Sequence, residues 1–67
     1  MTDGPQRVEF ADVTVVRAAN GILMCRVGDR IVAVPSRRML PTTTIARLGD
    51  RGRLVLSREM ALNLGLV

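Results

Sequence analysis

Residues 13–34 read Val-Thr-Val-Val-Arg-Ala-Ala-Asn-Gly-Ile-Leu-Met-Cys-Arg-Val-Gly-Asp-Arg-Ile-Val-Ala-Val: three extended runs cut by two tight-turn pairs. β-branched residues dominate the runs, as strands prefer. Asn20-Gly21 is a strong hairpin signal, because a two-residue loop of this kind needs positive φ at both central positions. Gly28-Asp29 follows at hairpin distance with Gly first, as a type II′ turn prefers. The two turns fix a register. Ala19 should face Ile22, Arg17 face Met24, Val16 face Cys25 and Thr14 face Val27. Around the second turn Val27 should face Arg30, Arg26 face Ile31, Cys25 face Val32 and Met24 face Ala33. Side chains alternate along a strand, so one face collects Thr14, Val16, Ala18, Leu23, Cys25, Val27, Val32 and Val34 and reads as a core. The other collects Val13, Val15, Arg17, Ile22, Met24, Arg26, Ile31 and Ala33. Two readings of this second face stay open: a solvated face over which arginine stems lie, or an apolar binding surface rimmed by arginine.

Outward from these hairpins the pattern weakens. Residues 1–6 are polar and broken by Gly4 and Pro5, and are expected to form a disordered arm before a domain spanning residues 7–67. Pro35 and Pro41 bracket a segment too short for a stable helix. Thr42 to Leu48 restarts extended structure, and Gly49-Asp50-Arg51-Gly52 turns into a fifth strand, Arg53 to Leu56. Ser57 is placed to cap a helix over Arg58 to Leu64, with Glu59 in its first turn. Gly65 and Leu66 fit the C′ and C″ positions of a Schellman stop. The expected fold is all-β: a small five-stranded barrel, for which an SH3-like barrel fits, or a bent antiparallel sheet, with a short C-terminal helix.

The chain has 67 residues and a net charge of +4, with ten arginines, no lysine, no histidine, one phenylalanine and one cysteine. A domain of this size buries only about 60% of the surface its unfolded chain exposes, so a partner chain is a natural source of further burial and a homodimer is expected. Cys25 cannot close an intrachain disulfide, and no zinc-ligand spacing exists; no metal or cofactor is expected. Codon use in a GC-rich genome is the simpler cause of the missing lysine, but the positive field acts on partners whatever its origin. Residues 1–6 lack a signal-peptide pattern and no apolar run approaches about 18 residues, so the expectation is a cytoplasmic protein with no membrane partner.

Catalysis lacks parts. Asp29 and Asp50 sit in turns where Asp bonds its own backbone, Glu59 has a capping role, and Cys25 falls on the core face without a histidine to activate it. Neither GxxxxGK[ST] nor GxGxxG occurs, and no small-molecule substrate is evident. Phe10 alone makes no platform for stacking single-stranded bases. Duplex DNA needs no aromatics, since arginine reaches both phosphates and guanine edges.

The run Gly52-Arg53-Leu54-Val55-Leu56-Ser57-Arg58-Glu59-Met60-Ala61-Leu62-Asn63-Leu64-Gly65-Leu66, preceded by Asp50, resembles the signature of AbrB-like swapped-hairpin domains, the transition-state regulators and antitoxins. It differs in carrying Ser57 where those domains usually have proline, and Ala61 and Leu62 where they often have basic residues. The resemblance implies an interlocked dimer that binds duplex DNA, with Arg53 as a contact.

The sequence therefore points to a non-enzymatic binding module, expected to be dimeric and to bind duplex DNA in a regulatory role through Arg51, Arg53, Arg17 and Arg26. The alternative is a protein-interaction or assembly module that docks a protein partner on Val15, Met24 and Ile31.

Overall fold

A computed structural model describes residues 6–67. Among these residues four strands, β1 (Arg7–Ala19), β2 (Ile22–Val27), β3 (Arg30–Pro35) and β4 (Arg51–Ser57), form one antiparallel sheet in the order β3-β2-β1-β4. A 3-10 turn (Ser36–Arg38) follows β3, and a helix, α1 (Arg58–Asn63), follows β4. The sheet is open and four-stranded, which corrects the expected five-stranded barrel. The arm expected at residues 1–6 lies outside the described residues except for Gln6, whose carbonyl accepts the Arg58 N–H at 2.6 Å.

Both hairpin turns form as their residues dictate. Asn20 and Gly21 both have positive φ, at 54° and 76°, whereas at the second turn only Gly28 does, at 64°. The β2–β3 register matches the sequence arithmetic pair for pair, from Val27↔Arg30 to Ile22↔Pro35. The β1–β2 register follows it only from Ala19↔Ile22 to Arg17↔Met24, then shifts, so that Val15 rather than Val16 pairs with Cys25. Val16 is the extra residue of a bulge, and it is 37% exposed. A one-residue shift exchanges the faces of a strand. Val13 and Val15 thereby enter the core, while Thr14 leaves it, which avoids burying an unpartnered hydroxyl.

A second bulge lies between Phe10 and Val13, where Asp12 takes a left-handed φ of 56°. Asp is among the residues that tolerate that region. Without this bulge Ala11, Glu9 and Arg7 would follow Val13 onto the core face. With it Phe10 packs on the core, and Glu9 and Arg7 are left exposed. The two bulges keep thirteen residues of β1 in apolar phase while bending the strand across the sheet.

The core comprises Val13, Val15, Leu23, Cys25, Val32, Val34, Ile45, Leu54 and Leu56. Met60, Leu64 and Leu66 pack against it from α1 and the residues that follow. Ser57 Oγ accepts the Met60 N–H at 3.1 Å, the expected N-cap. Leu66 N–H to Ala61 O and Gly65 N–H to Leu62 O make the expected Schellman stop, with Gly65 at φ 74°. Arg30 Nη1 donates to Gly65 O at 3.0 Å, placing a cation at the negative end of the helix.

The expected strand from Thr42 to Leu48 is a strap instead. It runs along the outer edge of β4, where Leu40 N–H donates to Val55 O and Thr44 N–H to Arg53 O, both at 2.9 Å. Between them threonine hydroxyls replace ladder groups. Thr43 Oγ1 accepts the Val55 N–H and donates to Val55 O, and Thr44 Oγ1 accepts the Arg53 N–H. Pro41 has no N–H to give, so hydroxyls rather than a regular strand complete this edge.

Candidate nucleic-acid interface

The second face of the sheet, opposite the core, carries all four arginines singled out from the sequence. Thr14 pairs with Arg51 on one side and Arg26 on the other, and Arg26 pairs with Ile31. A row of Arg51, Thr14, Arg26 and Ile31 therefore crosses the four strands, with Arg51 and Arg26 two strand spacings, about 10 Å, apart. Arg17, opposite Met24, lies diagonally from Arg26 at roughly 7–8 Å. Arg53 stands two residues beyond Arg51 on the same face of β4, and Arg7 joins at the far end of β1.

The electrostatics divide this set in two. Arg51 pairs with Asp12 at 3.8 Å, and Arg53 Nε pairs with Glu9 at 3.2 Å while also donating to Thr42 O at 3.2 Å. Arg53 thus ties the strap to the sheet. All four ion-paired side chains are about half exposed or more, so each pair is worth only about 0–1 kcal/mol and a phosphate can compete for it. Among the described residues Arg17 and Arg26 have no carboxylate partner. A shallow groove of about 390 Å³, lined by Arg7, Glu9, Thr42, Arg53 and Val55, continues the face along β4.

Of the three residues expected to dock a protein partner, Met24 and Ile31 are on this face, and Ile31 is 53% exposed. Val15 is not: the bulge at Val16 turns it into the core, where it is 1% exposed. Arg7 and Thr14 were missed. Their place on this face depends on the phase set by the bulges, for which the left-handed Asp12 has no sequence signal stronger than its residue type.

Asp50 and Cys25 have structural duties. Asp50 Oδ2 accepts the N–H groups of Ala46 and Arg47 at 2.8 and 2.9 Å, which hold its carboxyl below the ordinary carboxylate range. That turn docks on β1 through Val15 N–H to Asp50 O and Gly49 N–H to Val15 O, both at 2.8 Å. Cys25 is buried, and burial pushes its thiol up, away from the reactive thiolate. Among the described residues no group of three or more His, Cys, Asp or Glu could hold a metal ion, and no helix is long and apolar enough to cross a membrane. Compared with known proteins, the chain matches no family model, no curated protein and no solved structure.

Proposed function

We propose that the chain is a non-catalytic binding module whose outer sheet face engages the phosphate backbone of duplex DNA, in a regulatory role. The observation that carries this reading is the pair Arg17 and Arg26, adjacent on an exposed face and free of carboxylate partners among the described residues, with Arg51 in the same row. The guanidinium fork suits phosphate, and Thr14 between Arg51 and Arg26 adds a hydroxyl donor. The likeness of residues 50–66 to AbrB-like domains agrees with the same partner, but no family model extends it, so the proposal stands on the arginine face.

Anisotropy of a labelled random duplex, titrated at several salt concentrations, tests the reading. Binding should weaken with salt at a log–log slope of about −0.9 per phosphate contact. Arg17→Ala with Arg26→Ala should weaken binding and reduce that slope by about 2. An absence of binding at low salt, or an unchanged slope in the double variant, removes the proposal.

The exposed Ile31, beside Met24 and Ala33 on the same face, favours a second reading, a protein-assembly surface. An apolar interface would hold as salt rises, and the same titration against a protein partner separates the two.

A further inference from the structure

The two edges of the sheet are treated differently. The β4 edge is closed by the strap, whereas β3 has β2 on one side and nothing among the described residues on the other. We propose that β3 pairs antiparallel with β3 of a second copy of this chain, about a two-fold axis at Val32, joining two four-stranded sheets into one of eight strands.

The register follows from which backbone groups are unpaired. Across a two-residue hairpin the flanking residues Val27 and Arg30 form a hydrogen-bonded pair, so Arg30, Val32 and Val34 spend their N–H and C=O groups on β2. The N–H and C=O of Ile31 and Ala33 point the other way, off the open edge, as does the C=O of Pro35. Pairing Ile31 with Ala33 of the second copy satisfies all four of these N–H and C=O groups in each chain. Centring the axis on Ala33 instead would set Ile31 against Pro35, which has no N–H. Centring it on Ile31 would set Ala33 against Asp29, which lies in the turn.

Three further features favour a second copy as the occupant. The pairing brings the Gly28-Asp29 turn of one chain beside the Ser36–Arg38 turn of the other. Asp29, which has no ion-pair partner among the described residues, then meets exposed Arg37 and Arg38 at both ends of the interface. The one charged residue of β3, Arg30, is held away by its bond to Gly65 O and does not guard the edge as charged edge residues usually do. Ile31 and Ala33, both exposed on the outer face, would cover each other across the axis. Because the strap closes the β4 edge, assembly stops at two chains. The arginine rows of both copies would then lie on one continuous face.

The solution mass of the full chain, by sedimentation, together with amide exchange resolved by residue, tests this without any DNA. The expected result is a mass twice that of the chain, with the Ile31 and Ala33 amides protected. Ile31→Lys should give a monomer. So should Ala33→Pro, which removes an N–H that β2 does not use, and both variants should keep the wild-type circular dichroism. A monomeric wild type overturns the proposal, as does free exchange at Ile31 and Ala33, or a dimer that survives both substitutions. If a variant fails to fold, the exchange rates of the wild type still decide. Loss of DNA binding with the dimer intact would count against the proposed function alone.

Discussion

Gly52 offers the sharpest test of how the strap is fastened. A Cβ built at this position collides with Thr44 Oγ1, the hydroxyl that accepts the Arg53 N–H at 2.8 Å. Its next neighbours, Ile45 Cγ2 at 3.5 Å and Thr44 Cβ at 3.6 Å, are ordinary contacts. Thr44 is short and cannot swing its hydroxyl clear without breaking that bond. Gly52→Ala should therefore cost about 1–3 kcal/mol in overpacking and about 1 kcal/mol for the lost hydrogen bond. Loss of glycine freedom in the unfolded chain offsets about 0.4–1 kcal/mol, leaving a net destabilisation of about 2 kcal/mol. In a chain this small that lowers Tm by roughly 8–16 °C. Thr44→Ala should cost about 1 kcal/mol alone, and in that background Gly52→Ala should become neutral or mildly stabilising. Urea unfolding of the four chains in a double-mutant cycle reads the coupling, expected at about 2 kcal/mol. If Gly52→Ala costs as much without the Thr44 hydroxyl as with it, the strap is not fastened in the way described.

Two predictions concern stability elsewhere, beside those on DNA binding and strand pairing above. Gly65→Ala should destabilise by about 1–2 kcal/mol, because it forces a side chain into φ 74° against the Arg30 guanidinium, whereas Arg30→Ala should cost only about 0.3–1 kcal/mol; thermal melts compare them. Asp50 is held below its ordinary value by two backbone N–H groups, so its contribution is present above the unfolded carboxylate value of about 3.9 and is lost as pH falls through the lower folded value. Melts across the acid range should show a steeper decline in the wild type than in Asp50→Asn, and parallel declines would refute this.

Local chemistry made the two hairpins legible. Asn20-Gly21 and Gly28-Asp29 admit few backbone conformations, and a two-residue loop leaves no freedom in the pairing next to it, so β2–β3 could be written down residue by residue. Ser57 and Gly65 marked the two ends of α1 for the same reason. The arithmetic fails at Val16, four residues before the first turn, because a bulge is chosen by what the whole core requires and not by the residue that forms it. The strap was equally hidden. Three threonines read as a strand by propensity, yet Thr43 and Thr44 serve through their hydroxyls and Thr42 through its carbonyl, on an edge that exists only once β4 is in place.

The candidate face shows the same division. That arginines and apolar residues share the exposed side of β2 and β3 was readable from alternation alone, and Arg26, Met24 and Ile31 stand where it puts them. That Arg51 joins them, that Arg53 is tied to Glu9 and Thr42, and that Val15 leaves for the core depend on contacts between distant parts of the chain. By itself the sequence determined the turns, the caps and the β2–β3 register, each set within a few residues of backbone geometry. The tertiary structure decided the phase of β1, the open four-stranded sheet and the pairing state of each arginine, because these follow from competition among side chains for one small core and for the carboxylates around it.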